Sequence, residues 1–125
     1  MIFLPPLQMS VGEDFSNTAT WFENGVAVNF TGWSGSWSIT RAGTILLTGT
    51  ASLDGFGHIT TAIPAASVNT LVPFLPSRGF ILPGTVWAAT LTNGTDSLSF
   101  NAAIQLFRNK TTVSLYSGVI PGWVL

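Results

Sequence analysis

The chain of 125 residues is 46% hydrophobic and only 7% charged, with a formal net charge of −1. A chain of this length suits one domain with its own core. Its few basic residues exclude the clustered Lys and Arg of a nucleic-acid-binding surface, and the absence of cysteine excludes disulfides and thiolate metal sites. The surplus of apolar residues favours a subunit of a larger assembly over a free monomer.

The N-terminal segment MIFLPPLQMS, residues 1–10, has an apolar run that Pro5-Pro6 interrupts. No basic residue precedes that run, so it is a poor signal peptide. The segment also lacks a sustained two-residue period. We therefore predict an N-terminal arm over residues 1–10 that lies outside the folded domain and contacts other subunits through Phe3 and Leu4.

Short stretches with a two-residue period follow, and turn dipeptides such as Asn24-Gly25, Asp54-Gly55 and Asn93-Gly94 separate several of them. Asn-Gly and Asp-Gly supply the positive φ angles of tight hairpins. The stretches that read as strands are, in chain order, FSNTATW (15–21), WSGSWSITR (33–41), TILLTGT (44–50), HITTAI (58–63), TVWAATLT (85–92) and SLSFNAAIQLF (97–107). With a second short strand after the Asn24-Gly25 turn, these six stretches make about seven short strands, which predict a small antiparallel β-sandwich, Ig-like or jelly-roll-like, over residues 11–112.

The large aromatic residues are the candidates for the centre of this sandwich. Trp37 lies in a stretch that alternates with serines, so its side chain and that of Ile39 share one face. Trp21 and Trp87 alternate with polar residues in the same way. We therefore predict Trp21, Trp37 and Trp87 in the core.

The segment between Pro64 and Gly84 does not alternate and contains four prolines. Its first part, AASVNTL, predicts a short helical turn that ends before Pro73. The remainder reads as a long loop that is too apolar for disorder. We predict a contact loop that binds a partner through Phe74, Phe80 and Ile81.

The C-terminal segment, residues 113–125, carries no charged residue and includes Tyr116, Ile120 and Trp123. Left in water, these side chains would expose several hundred Å² of apolar surface, which monomers rarely tolerate. We predict a C-terminal arm that contacts other subunits. Addition of the segment as an edge strand to its own sheet remains the alternative.

Few residues of the sequence are candidates for catalysis or metal binding. His58 is the single histidine, and a residue of this kind beside a turn is more often a surface or strand-end residue than a metal ligand or base. Glu13 and Asp14 are adjacent and would point in different directions at a strand start, so they form no acid/base pair. No nucleophile elbow occurs. We predict that the protein is not an enzyme and has no catalytic, cofactor-binding or metal site.

Several of the turn and strand motifs resemble a known family when they are taken in chain order. Gly12–Ser16, Trp21, Asn24-Gly25 and Asn29–Gly32 resemble the opening of the phage tail and baseplate β-sandwich module found as the N-terminal domain of siphophage baseplate upper proteins. The resemblance covers about residues 11–110. The chain departs from the pattern at Asn29, where the family has an acid, and in the long segment 64–84.

The resemblance implies a structural virion protein, assembled in the host cytoplasm and located in the tail, the baseplate or a fibre-attachment region. Its partners would be other copies of itself and other virion proteins. Nucleic acid is not expected as a partner, and neither is a membrane, because no run of about 20 apolar residues occurs. A capsid or neck decoration protein is one alternative.

A glycan-binding module is the alternative of a different class, because five tryptophans could stack on sugar rings. Core packing explains most of these rings more simply. A shallow groove lined by Trp33 and Trp123 would favour host glycan as a further partner.

Overall fold

Alternation of apolar and polar residues produces a fold made almost entirely of strands. The computed structural model describes residues 2–107. Its strands are β1 (Ile2–Phe3), β2 (Leu7–Ser10), β3 (Phe15–Thr20), β4 (Phe22–Glu23), β5 (Val26–Ala27), β6 (Ser34–Arg41), β7 (Thr44–Leu53), β8 (His58–Ile63), β9 (Ile81–Thr92) and β10 (Ser97–Phe107). One short helix, α1 (Ala65–Asn69), and a 3₁₀ turn (Val72–Phe74) lie between β8 and β9.

The main sheet curls into two layers because β7 takes part in both. Its first part, Thr44–Ala51, pairs with β6, and its last residues, Ser52 and Leu53, pair with β8. The first layer runs β10, β9, β6 and β7, and the second runs β7, β8 and β3. The predicted all-β sandwich is confirmed. The separate hairpin of β4 and β5 lies in the connection between β3 and β6.

The inward faces of the two layers form one apolar core. Trp37 and Trp87 are both buried in it, as predicted. Trp21 is only half-buried, because β3 ends at Thr20; its ring meets Phe100 edge to face with centroids 5.6 Å apart. Most of the core therefore comes from positions that alternate along the long strands.

The N-terminal segment is part of the sheet, so the prediction of an arm over residues 1–10 was wrong. Both β1 and β2 pair with β10 in parallel. Leu7 and Met9 point inward and are almost fully buried. Pro5-Pro6 divides the segment into two strands of two and four residues, each too short to show a period in the sequence. The sandwich thus begins by Ile2, ahead of the predicted boundary at residue 11.

The proline-rich segment is only partly the surface loop that was predicted. Helix α1 forms within the predicted helical turn, and its Val68 is buried. Leu71, Leu75 and Leu82 are buried as well. The apolar residues of this segment therefore serve the core first, because the helix and the 3₁₀ turn close one end of the sandwich. No helix in residues 2–107 is long and apolar enough to cross a membrane.

Apart from residues 4–6, which link β1 to β2 beside β10, the connections between strands gather at the two ends of the sandwich. The turn end comprises residues 21–33, 54–57 and 93–96, and the helix end comprises residues 11–14, 42–43 and 64–80. Register places these groups at opposite ends, since Ser34 pairs with Thr92 and Thr92 with Ser97, whereas Arg41 pairs with Thr44 at the other end of the same strands.

Candidate interaction surface

In the part of the chain that the structure describes, charged side chains lie only at the two ends of the sandwich. Within residues 2–107, the turn end carries three acidic residues, Glu23, Asp54 and Asp96, and the helix end carries two acidic and two basic residues, Glu13, Asp14, Arg41 and Arg78. Glu23 lies in the β4–β5 hairpin and Arg41 is the last residue of β6. The sheet faces and sheet edges of the described part therefore carry no formal charge.

The outer face of the first layer consists of small hydroxyl-bearing and apolar side chains. We call it the hydroxyl face. Cross-strand register arranges it in rows over β7, β6, β9 and β10: Thr50, Ser36, Thr90 and Ser99; Thr48, Ser38, Ala88 and Asn101; Ile45, Thr40, Val86 and Ala103. Ser34, Thr92 and Ser97 add a shorter row at the turn end. Because many of these side chains are polar but none is charged, the face is hydrated in a free chain. Burying it at an interface costs less desolvation free energy than burying a charged face.

A shallow groove of about 440 Å³ runs over β6 on the hydroxyl face. Its walls are the side chains of Ser36, Ser38, Thr48, Thr50, Ala88 and Thr90. The groove lies over β6 because the outward-facing residues of that strand, Ser36 and Ser38, are small and lie between the threonines of β7 and Thr90 of β9. An uncharged groove of this depth suits a protruding side chain more than a small-molecule ligand, which needs a largely enclosed site.

Phe3, one of the predicted contact residues, stands at the margin of the hydroxyl face. It pairs with Asn101, so it extends one row of the face onto β1. Its side chain is 78% exposed. A hollow of about 290 Å³ lies beside it, lined by Phe3, Leu4, Val86, Asn101, Ala102 and Ala103. Phe3 is therefore accessible to a partner, and its role as a contact residue stays a prediction.

Leu4, predicted together with Phe3, has a different role. Its backbone N–H donates to the carbonyl of Asn101 at 2.8 Å. Its side chain is half-buried and packs against the core. Leu4 therefore anchors the strand that presents Phe3.

The predicted contact residues of the proline-rich segment lie apart from Phe3, near the helix end. Phe74 is half-buried beneath the guanidinium group of Arg41, whose Cζ lies 5.3 Å from the ring centroid. Phe80 stacks on Phe107 with centroids 5.3 Å apart. Ile81 is 53% exposed and pairs with Gln105. Of these three, Ile81 alone offers a largely exposed apolar side chain. Tyr116, Ile120 and Trp123 fall outside the described residues.

Sequence reasoning missed a second group of exposed apolar residues, at the turn end. Phe22, Val26 and Phe56 are each more than half exposed. The backbone holds their segments together, because Trp21 N–H donates to the Gly57 carbonyl and Val28 N–H to the Trp21 carbonyl. The available signal was the placement of these side chains beside or inside tight turns: Phe22 and Val26 flank Asn24-Gly25, and Phe56 lies within Asp54-Gly55-Phe56-Gly57.

The same turn holds a close Asp–His pair. Asp54 Oδ1 accepts hydrogen bonds from the backbone N–H groups of Phe56 and His58, and Oδ2 lies 2.7 Å from His58 Nδ1. Slight burial raises the pKa of Asp54, but the hydrogen bonds of its carboxylate to the His58 ring and to these two N–H groups lower it by more. The net pKa lies below the usual value. These bonds brace the turn, and His58 is the first residue of β8.

The acidic residues before β3 also have a structural partner. Asp14 Oδ1 accepts from the Ala65 N–H at 2.8 Å, so this carboxylate ties the start of β3 to the first turn of α1. Groups of three or more His, Cys, Asp or Glu side chains able to hold a metal are not found in residues 2–107.

A small cavity lies between the two layers near the turn end. It has a volume of about 50 Å³ and is lined by residues that include Asn17, Trp21, Thr61, Trp87 and Phe100. Because a water molecule occupies about 30 Å³ of liquid, the cavity can hold one or two waters. It is too small to be a ligand site.

Comparison with known proteins shows likeness at the level of fold. No protein-family model matches the sequence, and comparison with curated proteins finds no match. Among solved structures, the N-terminal domain of phage TP901-1 ORF48 is similar, with a TM-score of 0.52, 9% identity, and coverage of 86% of this chain and 98% of that one. The titin M10–obscurin-like 1 Ig complex gives a TM-score of 0.46 at 14% identity, covering 87% and 92% of the two chains. The titin M3 domain gives 0.44 at 15%, covering 86% and 93%.

Proposed function

We propose that this protein is a structural subunit of a bacteriophage particle, in the tail, the baseplate or a fibre-attachment region, and that it acts through contacts with other subunits. Its partners are other copies of itself and other virion proteins. Catalysis and a bound cofactor have no part in this role.

The observation that carries the proposal is the location of every charged residue within 2–107 at the ends of the sandwich. A charged side chain that becomes buried at an interface without a partner is strongly destabilising. Sides without charge, bearing exposed Phe3 and Ile81, can be covered by neighbouring subunits without that cost. The phage context comes from the sequence resemblance, and the likeness in fold to the N-terminal domain of phage TP901-1 ORF48 agrees with it.

A glycan-binding role is less well supported. The groove over β6 is lined by hydroxyl groups and small side chains, and Trp37, the tryptophan that contributes to it, is only 6% exposed. Trp33 is half-buried and meets Phe30 edge to face at 5.4 Å. Neither ring offers the open aromatic platform that sugar stacking needs. We propose no glycan partner; binding on a glycan array would reverse this choice.

The proposal is tested by locating the protein in particles. An antiserum raised against the purified chain should label purified particles from the source phage at the tail or its tip by immunogold electron microscopy. Labelling of the capsid or neck would instead indicate a capsid or neck decoration protein. Absence of the chain from purified particles, although it is present in the lysate, would overturn a structural role.

The predicted C-terminal arm allows a second test of the same role. Deletion of residues 117–125 removes Ile120 and Trp123, both predicted contact residues, from the chain. We expect thermal unfolding to stay nearly unchanged while incorporation into particles is abolished. A truncated chain that fails to fold would show instead that the segment belongs to the core.

A further inference from the structure

The hydroxyl face and Phe3 together form a surface with complementary parts. We propose that two copies of this chain associate face to face through the hydroxyl face, with Phe3 of each copy lying in the groove over β6 of the other. The inference rests on the proposed structural role and deepens it by naming the partner surface.

The arrangement of strands makes this contact geometrically self-consistent. In the first layer the order is β1, β10, β9 and β6, so Phe3 and the groove lie three strands apart. A twofold axis between β10 and β9 exchanges β1 with β6 of the second copy and β10 with β9. Phe3 of each copy is thereby placed over the groove of the other, as an isologous contact requires.

The absence of charge favours a second copy as the occupant. A partner bearing Lys, Arg, Asp or Glu side chains would lose their hydration on this face without gaining a counter-charge. Another copy presents the same uncharged rows and creates no like-charge repulsion. The described charged residues all lie at the ends of the sandwich, so they remain in water when two faces meet.

The size of the side chains also suits sheet-on-sheet packing. Apart from Phe3, the contacting rows consist of Ser, Thr, Ala, Val and Asn on β10, β9 and β6. Ser, Thr, Val and Ala lose little rotamer freedom when covered, in contrast to Lys or Gln. Small residues on both sides also let the two sheets approach to about 10 Å, the usual separation of stacked sheets.

The area of the proposed contact determines the affinity expected between the two copies. Three strands about 4.8 Å apart, each contributing about seven residues at about 3.4 Å per residue, together with the two residues of β1, give roughly 380 Å² per copy. A standard stable interface covers about 800 Å² per partner. The contact should therefore be weak in solution, depend on concentration, and become significant when the particle holds copies close together.

Sedimentation velocity over a wide concentration range tests the proposal with matched variants. We expect the unmodified chain to form a dimer as concentration rises and Thr90→Lys, at the centre of the face, to remain monomeric. Ser16→Lys places the same charge on the outer face of the second layer, where Ser16 is exposed on β3, and should dimerise like the unmodified chain. Phe3→Ala should weaken dimerisation about tenfold or more, because it removes one buried phenyl group from each copy.

Cross-linking provides a second measurement that does not depend on introduced charge. The chain has no cysteine, so Thr90→Cys and Ser16→Cys each carry a single thiol. A short bismaleimide should link Thr90→Cys into dimers and leave Ser16→Cys monomeric. Thermal unfolding of every variant confirms that it is folded, and Ser36→Lys replaces Thr90→Lys if the latter is not.

Three outcomes would overturn the inference: a monomer at every concentration, a dimer that Thr90→Lys leaves intact, or preferential linking through Ser16→Cys. Each leaves the proposed structural role to be judged by particle labelling. A chain that is present in particles but monomeric in solution would disprove this homotypic contact alone. A chain that dimerises as expected but is absent from particles would disprove the virion role alone.

Discussion

Gly49 lies directly opposite Trp37 on the neighbouring strand, and the indole ring fills the space that a side chain at Gly49 would need. The two residues are register partners of β7 and β6. A Cβ added at Gly49 would come within 2.5 Å of Trp37 Cε2 and 2.8 Å of Nε1. Glycine at this position is therefore a packing requirement of the tryptophan, since contacts below 3 Å cannot be absorbed without movement of the ring.

Gly49→Ala should destabilise the domain by about 1–3 kcal/mol, the usual cost of overpacking a filled site. Denaturant unfolding followed by tryptophan fluorescence measures the free energy. The same substitution in a Trp37→Phe background should cost clearly less, because the smaller ring leaves room for the methyl group. Equal costs in the two backgrounds would show that the ring does not constrain Gly49.

Trp37→Ala should lower the free energy of unfolding by about 3–5 kcal/mol, because it removes a large buried ring from the core. Ser36→Ala, one residue away on the hydroxyl face, is the matched control and should stay within about 0.5 kcal/mol. A loss below about 1 kcal/mol for Trp37→Ala would mean that the ring contributes little to the core.

Met9→Ala should cost about 2–5 kcal/mol, since Met9 is almost fully buried on β2 and its removal leaves a cavity. Phe3→Ala, in the same N-terminal segment but 78% exposed, should leave the stability of the monomer within about 0.5 kcal/mol. Equilibrium unfolding at low protein concentration measures the free energy of unfolding of both variants. If both substitutions changed the free energy of unfolding by similarly small amounts, the N-terminal segment would be an arm after all.

The bonds of Asp54 predict a loss of stability in acid. Since its pKa is lowered in the folded protein, ionised Asp54 stabilises the fold above the ordinary aspartate pKa of about 4. This contribution disappears as pH falls through the lowered value. Unfolding free energies of the unmodified chain and Asp54→Asn should differ above the ordinary aspartate pKa and converge as the pH falls well below it. Asp96→Asn corrects for the loss of one negative charge at the same end; a constant difference across this range would contradict the assignment.

The long strands of the sandwich could be predicted from the sequence because their information is local. In β6 the residues Trp37 and Ile39 alternate with serines, and turn dipeptides mark the ends of several neighbouring strands. Period, length and turn chemistry are properties of a few adjacent residues, so they can be recognised in the sequence without knowledge of the fold.

The short N-terminal strands could not be predicted, because nothing in two or four residues specifies a distant partner. Leu7 pairs with Ile104, almost a hundred positions along the chain. The burial of Leu71 and Leu82 in the proline-rich segment has the same origin, since it depends on which end of the sandwich the segment covers. An apolar residue looks identical in sequence whether it meets its own core or another subunit.

The sequence by itself therefore determined the class of fold, the positions of its long strands and the scarcity of charge. Only the tertiary structure decided where that charge lies and which uncharged side chains form one surface. Thr50, Ser36, Thr90 and Ser99 come from four strands, and only pairing brings them into one row. Because register between strands depends on long-range contacts, a candidate interaction surface of this kind becomes visible only when the chain has folded.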